Sequence, residues 1–345
     1  MDRARAIRSN ELGLAKADYG GAPSTLCVGC GHNSIASQFV QVAFELSLDP
    51  SEIIKLSGIG CSSKSPAYFL GMSHGFNSLH GRMPAVGTGA LLANRSLRAI
   101  GVSGDGDTGS IGLGQYKHLI RRNLRMTYVI ENNGVYGLTK GQFSATADEG
   151  QELKYAGRNE QPPLDLCLEA LTAGCGFVAR SFAGDAKQVR ELLKAALSHR
   201  GTAVIDIISP CVAFNNDDDS SKSYGFGRAH GQPLHELGYV PQAQEIVVED
   251  FEPGQLRLVE LHDGSRLTLR KLEEEYDHTD RSGAVARLLA AQEQDEYLTG
   301  LLYYDPGRED LAEASGLVDT PLSKLSGERL RPEPEALEGV LQRYR

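Results

Sequence analysis

The most constraining feature of this sequence is a pair of short apolar runs separated by one segment of helical length. The runs cover residues 99–102 and 126–130, and each is partly β-branched and bounded by glycine or polar residues, as buried parallel strands are. The segment between them, residues 109–123, has the composition of a helix. The pattern predicts a strand–helix–strand unit. Its two strand ends deliver polar, glycine-bearing loops to one edge of a sheet, where open α/β sheets bind ligands.

These two loops contain residues that suit a cation and a phosphate. The first reads Gly104-Asp105-Gly106-Asp107, which taken alone favours a simple turn, and the second contains Asn132-Asn133-Gly134. Because Asp105 and Asn133 follow neighbouring strands, a carboxylate and an amide oxygen can meet there, and Mg2+ prefers oxygen ligands. The glycines let the backbone approach a phosphate, and the following helix start offers unpaired N–H groups to it.

The rest of the chain predicts the fold class and its division. Strand and helix patterns alternate up to residue 211, which predicts an α/β protein with a doubly wound, mostly parallel sheet. Residues 224–240 have no periodicity. We expect three parts, which are an N-terminal arm (1–26), an α/β domain (27–230) and a C-terminal β meander with a helical tail at a subunit interface (231–345). The expected elements of the last part are a meander over 245–269 with turns at Pro253-Gly254 and Asp263-Gly264, a helix over 281–302, and a last short helix from Pro334.

Charge and hydropathy exclude some classes of protein. The net charge of −10 argues against a nucleic-acid partner, because phosphate binding needs a basic surface. The first ten residues are polar and basic, and no run is long and apolar enough to span a membrane. We therefore expect a cytoplasmic protein. In that reducing compartment the six cysteines are not expected to form structural disulfides.

Four cysteines follow a pattern that predicts convergence. Cys27 and Cys30 form a Cys-x2-Cys motif just before a predicted helix, and Cys61 and Cys211 each follow a predicted strand. Four thiolates at one sheet edge suit either Zn2+ or a [4Fe-4S] cluster, and residue chemistry alone leaves both open. The other two cysteines lie in apolar surroundings and are expected to be buried and inert.

Taken together, Gly104-Asp105-Gly106-Asp107, Arg121-Arg122-Asn123 and residues 132–142 resemble the thiamine diphosphate-binding β subunit of 2-oxoacid:ferredoxin oxidoreductases, and most closely the 2-oxoglutarate type. The resemblance implies the thiamine diphosphate-binding fold, with Mg2+ held by Asp105, Asn133 and the backbone carbonyl of Val135. It also implies a [4Fe-4S] cluster on Cys27, Cys30, Cys61 and Cys211. The residues expected to line the cofactor are Ile59, Gly60, Cys61, Ser62, His80, Gly104, Asp105, Gly106, Asp107, Asn133, Val135, Gly137 and Leu138.

The implied reaction is oxidative decarboxylation of a 2-oxoacid with CoA to acyl-CoA and CO2, or its reversal with CO2 fixation. Thiamine diphosphate supplies the carbanion chemistry, and electrons pass through the cluster to ferredoxin. The glutamate that activates the cofactor's pyrimidine usually comes from an α subunit in such enzymes, and this sequence offers no candidate. The chain is therefore expected to be half of an active site, in an α2β2 assembly.

The expected substrate is 2-oxoglutarate, since His80-Gly81-Arg82-Met83-Pro84 and residues 136–142 resemble 2-oxoglutarate-type subunits. Lys64 is available for a distal carboxylate, and His80 and Arg82 are further candidates at the substrate. Pyruvate or a broad 2-oxoacid range is the alternative. Two rivals from other classes are a non-redox thiamine diphosphate decarboxylase, which does not need the four cysteines, and a zinc-bearing interaction protein, which leaves the magnesium motif unused.

Overall fold

The computed structural model describes residues 9–217, 220–240, 256–260, 266–271, 276–294, 296–331 and 333–344. The helices in these ranges are α1 Gly31–Glu45, α2 Met83–Ala93, α3 Leu113–Arg122, α4 Leu166–Thr172, α5 Ala186–Ser198, α6 Tyr224–His230, α7 Arg281–Glu293, α8 Leu311–Ala314, α9 Gly327–Leu330 and α10 Pro334–Gln342. The strands are β1 Ile53–Ser57, β2 His74–Asn77, β3 Arg98–Gly104, β4 Met126–Asn132, β5 Val135–Tyr136, β6 Gln142–Phe143, β7 Glu152–Leu153, β8 Gly157–Arg158, β9 Phe177–Phe182, β10 Thr202–Ile208, β11 Gly231–Pro233, β12 His235–Val240, β13 Leu256–Glu260, β14 Arg266–Lys271 and β15 Tyr297–Tyr304.

Eight of the strands form one sheet in the order β11, β15, β9, β10, β4, β3, β1, β2. Every neighbouring pair in this sheet is parallel except β9 with β15. From β1 the chain goes to β2 on one side and to β3 and then β4 on the other, as in a doubly wound sheet. The predicted fold class is confirmed.

The sheet is covered on both faces, which explains why its strands are apolar on both sides. Helices α1 and α5 pack on one face, and α2, α3, α4 and α7 pack on the other. Successive strand residues point to opposite faces. Thus Val129 belongs to the core under α1 and α5, whereas its neighbour Ile130 belongs to the core on the other face.

The predicted strand–helix–strand unit is present as β3, α3 and β4. The helix is preceded by a π-helical turn over Gly106–Ile111, in which the Gly112 N–H donates to the Asp107 carbonyl at 2.8 Å. Such turns widen the helix and are frequent at functional sites. This π-helical turn begins directly after Asp105.

The C-terminal region differs from expectation in two places. The helix predicted over 281–302 ends at Glu293, and β15 follows at Tyr297–Tyr304. The prediction was wrong here because a short apolar run in a sequence does not distinguish a buried strand from a buried helix. Residues 224–240, which have no periodicity in the sequence, contain α6, β11 and β12.

The predicted β meander corresponds to an antiparallel sheet of three strands in the order β12, β14, β13. The two predicted turns of the meander lie outside the described residues. Strands β11 and β15 add to the main sheet from the part of the chain after residue 230, and the three-part division remains a prediction. Among the described helices, none has the length and apolar character needed to cross a bilayer.

We predict that His235 makes the protein less stable in acid. Its Nε2 accepts a hydrogen bond from the Leu301 N–H at 3.2 Å, and burial together with His278 lowers the pKa of His235 from 6.5 to about 3. Below pH 6.5 the unfolded chain protonates this histidine while the folded chain does not. The contribution of neutral His235 to folding stability is therefore full above pH 6.5 and is lost as the pH falls towards 3.

Between about pH 7 and about pH 5.5, the wild type is expected to lose about 1 kcal/mol more unfolding free energy than His235→Gln. Glutamine cannot titrate but keeps an acceptor for the strand. Urea unfolding at the two pH values measures the difference. Equal losses in the two proteins would contradict the assignment.

Candidate functional site

The candidate site is a cavity at the carboxyl ends of β1, β3 and β4, where the loops predicted to carry ligands meet. Every residue expected to line the cofactor lies on its wall. The wall consists of His32, Ile59, Gly60, Cys61, Ser62, His80, Gly104, Asp105, Gly106, Asp107, Ile111, Glu131, Asn133, Val135, Tyr136, Gly137, Leu138 and Thr139.

Asp105 is the most strongly held acceptor on this wall. It is 1% exposed, and its carboxylate faces the backbone N–H groups of Asn133 at 3.3 Å and Gly134 at 3.1 Å. The hydroxyls of Ser144 and Thr146 approach the same carboxylate, the second at 2.6 Å from Oδ2. These donors come from the loop after β4 and the loop around β6, so Asp105 joins the ends of two parallel strands to the segment that follows them.

The other two predicted magnesium ligands lie beside Asp105. Asn133 Oδ1 accepts a hydrogen bond from the Val135 N–H at 3.1 Å, and the Val135 carbonyl accepts one from the Gly137 N–H at 3.1 Å. Each of these oxygens keeps a second lone pair. One carboxylate, one amide oxygen and one carbonyl form the oxygen donor set that a hard divalent cation takes when phosphate and water complete the shell. The residues therefore fit Mg2+.

The wall also carries a glycine turn and an unsatisfied hydroxyl of the kind that a phosphate-bearing cofactor uses. A methyl group added to Gly106 would lie 2.5 Å from a ring carbon of Tyr136, so only glycine lets the turn pass there. The hydroxyl of Ser62 is buried and, among the described residues, has no hydrogen-bond partner. A buried polar atom without a partner is costly unless a ligand or water satisfies it. Thiamine diphosphate fits these features.

Asp107 holds the walls of the cavity together. Its Oδ1 accepts from the Gly81 N–H at 2.7 Å, and its Oδ2 accepts from the Ser103 hydroxyl at 3.0 Å. The carboxylate thus links the loop before α2 to the end of β3.

The four cysteines of the predicted cluster come from three loops at this same edge. A methyl group added to Gly137 would lie 3.4 Å from Cys211 Sγ and 3.6 Å from Cys61 Sγ, so both sulfurs face one glycine of the cavity wall. The loop that carries Cys27 and Cys30 lies beside the Cys211 loop, since a methyl group added to Gly29 would lie 3.7 Å from a side-chain carbon of Val212. Cys27 is exposed and the other three are half-buried.

Burial, with the charges of Glu131, Cys211 and Cys61 adding to its effect, raises the pKa of Cys30 to about 12. Burial also raises the pKa of Cys61 and Cys211, in each case with Cys27 adding to the effect. Each of these three thiols is therefore affected by the charge of another cysteine of the set, and a bound cation or cluster would stabilise them as thiolates. The donor set fits an iron–sulfur cluster or zinc. In the described part of the chain, no three His, Cys, Asp or Glu side chains are already closed around a common metal position.

Glu131 is the main feature of the site that sequence reasoning missed. It is completely buried on β4, and both carboxyl oxygens lie 2.9 Å from the Ser65 hydroxyl. Burial raises the pKa of Glu131 well above its usual range, and burial lowers the pKa of His32 to about 4. His32 Nδ1 lies 2.6 Å from the Ser209 hydroxyl and 3.6 Å from Glu131 Oε2. Burial thus disfavours the charged form of both His32 and Glu131.

A signal for Glu131 exists in the sequence, because it is a charged residue directly after the apolar run over residues 126–130, where β4 continues. Such a residue in a fully buried strand needs a functional or structural partner. Ser144 and Thr146, which approach Asp105, had no signal, because they lie in a polar stretch without periodicity.

Of the three candidate substrate residues, one lines the cavity. His80 is exposed and lines it, whereas the described residues Lys64 and Arg82 are not part of its wall. Lys64 is half-buried in the turn after Cys61, and its charge opposes the rise that burial causes in the pKa of that thiol. Cys167 and Cys175 are completely buried, away from the cavity wall.

Comparison with known proteins identifies the central domain. The family described as thiamine pyrophosphate enzyme, C-terminal TPP binding domain, matches residues 58–207. A 2-oxoacid:ferredoxin oxidoreductase subunit β from Saccharolobus solfataricus is 41% identical over 199 residues, which are 57% of this chain and 65% of that protein. The subunit β of the same name from Sulfolobus sp is 41% identical over 227 residues, covering 66% of this chain and 72% of that protein.

A solved structure extends the similarity to nearly the whole chain. It is the 2-oxoglutarate:ferredoxin oxidoreductase from Magnetococcus marinus with 2-oxoglutarate, coenzyme A and succinyl-CoA bound. Its TM-score to this chain is 0.75 at 30% sequence identity, and the match covers 97% of this chain and 98% of the other. The predicted thiamine diphosphate-binding fold is confirmed.

We predict that Ser65 stabilises the wall of the cavity through Glu131. Ser65→Ala would leave a completely buried carboxyl without its hydroxyl partner, and the expected loss of unfolding free energy is about 1–3 kcal/mol. The control is Ser37→Ala on α1, where an exposed hydroxyl donates to the Asn33 carbonyl and the expected change is below about 0.5 kcal/mol. Urea unfolding of both variants tests this, and equal small changes would count against a stabilising role.

Proposed function

The chain belongs to the family of 2-oxoacid:ferredoxin oxidoreductase β subunits, and from that premise we propose that it is the cofactor-binding half of such an enzyme, acting on 2-oxoglutarate. The proposed reaction converts a 2-oxoacid and CoA to acyl-CoA and CO2, with electrons passed through a [4Fe-4S] cluster to ferredoxin, or runs in reverse. The observation that supports it best is Gly137, which lines the cavity while Cys61 Sγ and Cys211 Sγ lie against it. Cofactor site and thiols thus share one wall.

Each group of residues has a part in this proposal. Asp105, Asn133 and the Val135 carbonyl would hold Mg2+, and the glycine-bearing walls around Gly106 and Gly137 would receive the diphosphate of the cofactor. Thiamine diphosphate, when bound, supplies the carbanion chemistry at the keto carbon. The chain itself orients that cofactor and keeps water from the buried side of the cavity, where Glu131 and His32 are almost completely inaccessible.

Cys27, Cys30, Cys61 and Cys211 would hold the [4Fe-4S] cluster. Burial and hydrogen bonds around such a cluster set its reduction potential, and three of these four thiols are half-buried. Because two of the sulfurs lie against Gly137, which lines the cavity, a cluster held by these cysteines would lie close to the bound cofactor and could take up its electrons. This proximity is what a redox enzyme needs and a non-redox decarboxylase does not.

The activating glutamate of the cofactor is proposed to come from a partner α subunit. Glu131 is the glutamate on this wall, but Ser65 holds it, and its charge acts on Cys30 and Cys61. Glu131 is therefore placed towards the thiol side of the cavity. Exposed apolar side chains beside the cavity, Leu79, Ile111 and Leu138, suit coverage by a partner.

The redox assignment predicts that the full chain, purified anaerobically with its partner subunit, contains about four iron and four sulfide per chain, with thiamine diphosphate and without stoichiometric zinc. Cys211→Ser is expected to lose most of the iron. Cys167→Ser is the matched control, since this buried cysteine lies outside the cavity wall, and it should keep its iron. Metal analysis and the visible absorption of the cluster measure both.

Two other outcomes would each overturn that assignment. Zinc without iron would favour an interaction protein, and thiamine diphosphate without iron or zinc would favour a non-redox decarboxylase.

The substrate assignment rests on the resemblance of residues 80–84 and 136–142 to 2-oxoglutarate-type subunits, and Lys64, three residues after Cys61, is the residue proposed to pair with the distal carboxylate. We expect kcat/KM for 2-oxoglutarate to exceed that for pyruvate by at least about tenfold, because only 2-oxoglutarate has a distal carboxylate for a lysine to pair with. Lys64→Gln should remove most of this preference, whereas Lys187→Gln, an exposed lysine on α5, should not.

Steady-state kinetics of the assembled enzyme with both substrates tests this. Equal kcat/KM values in the wild type would favour the pyruvate or broad-range alternative. An equal loss for both substrates in Lys64→Gln would place the lysine at a group that all 2-oxoacids share.

A further inference from the structure

A continuous hydrogen-bonded path leads from Asp105 away from the cavity into the middle of the sheet. The Thr146 hydroxyl lies 2.6 Å from Asp105 Oδ2 and 2.8 Å from Asn132 Oδ1. The other end of the Asn132 side chain donates from Nδ2 to Asp206 Oδ1 at 3.0 Å. Asp206 is on β10, and all four side chains are at most 3% exposed. Nothing in the proposed cofactor chemistry uses Asp206 directly.

Asp206 has a hydrogen-bond partner on each carboxylate oxygen, with Asn132 on Oδ1 and Arg180 on Oδ2. Arg180 Nε donates to Asp206 Oδ2 at 3.2 Å, and a second guanidinium nitrogen donates to Asp165 Oδ1 at 2.6 Å. Burial raises the pKa of Asp206, and the charge of Arg180 opposes that rise. With Oδ2 paired to Arg180, Oδ1 is the acceptor that faces Asn132.

This acceptor decides which way the Asn132 amide points. An asparagine amide has a donor end and an acceptor end, and its hydrogen-bond partners determine the orientation. Since Asp206 Oδ1 can only accept, Asn132 must turn Nδ2 towards it, and Oδ1 then faces Thr146. The Thr146 hydroxyl has one hydrogen to give, and its nearest acceptors are Asp105 Oδ2 at 2.6 Å and Asn132 Oδ1 at 2.8 Å, with Ser144 Oγ farther away at 3.2 Å.

We propose that Asp206 is a positioning residue for the divalent cation at Asp105, acting through Asn132 and Thr146. By holding the Asn132 amide oxygen towards Thr146, Asp206 gives the threonine hydrogen a second acceptor. When the hydrogen turns to Asn132, Asp105 Oδ2 keeps its hydrogen bonds from Gly134 and Ser144 but loses one of three donors, so the carboxylate would offer more of its negative charge to a bound cation. The inference rests on the proposed function, because it assumes that Asp105 is a cation ligand.

Asp206→Asn reverses this arrangement without changing the size of the side chain. Because the Arg180 N–H requires an oxygen acceptor, the new amide turns its oxygen to Arg180 and its NH2 group to Asn132. The Asn132 amide must then turn and present Nδ2 to Thr146. The threonine oxygen accepts that bond, and its hydrogen is left on Asp105, where it competes with the cation.

Asp165→Asn is the matched control, because it also removes a buried carboxylate from Arg180. Asp165 caps α4 by accepting from the Cys167 and Leu168 N–H groups, and its side chain does not bond to Asn132. A purely structural role for the charges around Arg180 would therefore affect both variants alike.

The test measures Mn2+ binding to the metal-free full chain assembled with its partner subunit, in the presence of thiamine diphosphate, by electron paramagnetic resonance of the free ion. Asp206→Asn is expected to raise the Kd of Mn2+ about tenfold, and Asp165→Asn to change it less than about twofold. In a Thr146→Val background, Asp206→Asn should have no further effect. Thr146→Val alone should bind Mn2+ at least as tightly as the wild type, and this holds even if Asp206→Asn does not fold.

An unchanged Kd in Asp206→Asn, an equal loss in Asp165→Asn, or a tenfold weaker Thr146→Val would each overturn the inference. Asp105→Asn separates this failure from that of the proposed function. Mn2+ binding that does not depend on Asp105 would remove the proposed cation site itself. Mn2+ binding that depends on Asp105 but not on Asp206 would overturn the positioning role alone.

Discussion

The parallel pairing of β1, β3, β4 and β10 is the constraint on which the site depends. Parallel strands end at the same edge of a sheet, so residues separated by a hundred or more positions in the chain meet there. Cys61 follows β1, Asp105 follows β3, Asn133 follows β4, and Cys211 follows β10. The apolar cores on both faces hold these strands in register, and the polar loops have freedom only at their ends.

Polar groups buried just below that edge are satisfied in pairs, which gives the site its rigidity. Asp107 ties two loops together, Ser65 holds Glu131, and Arg180 lies between Asp165 and Asp206. An unpaired charge at any of these positions would cost several kcal/mol, because the surroundings are nearly inaccessible to water. The same property makes the network directional. A donor or acceptor exchanged at Asp206 is transmitted to Asp105, since each intermediate group has a limited number of hydrogens to give.

Much of this architecture could be predicted from local patterns. The β3–α3–β4 unit was predictable because apolar runs bounded by glycine indicate buried parallel strands, whereas the residues expected at the cofactor came from the resemblance of the loops to a known family. Strand β15 was not predictable, because an apolar run directly after a helix is read as a continuation of that helix. Its strand conformation comes from antiparallel pairing with β9 in the folded protein. Glu131, Ser144 and Thr146 belong to the site through contacts between segments distant in the chain, which no local pattern records.

The sequence by itself determined the family, the doubly wound sheet, and the residue types that suit a cation, a phosphate and a metal cluster. These properties depend on short-range patterns and on motifs within single loops. Only the tertiary structure decided that Gly137 lies against two of the cysteine sulfurs while lining the cavity, and that Asp206 reaches Asp105 through Asn132 and Thr146. Those relations depend on strand register and on the direction of each hydrogen bond, and both are fixed only when the strands pack side by side.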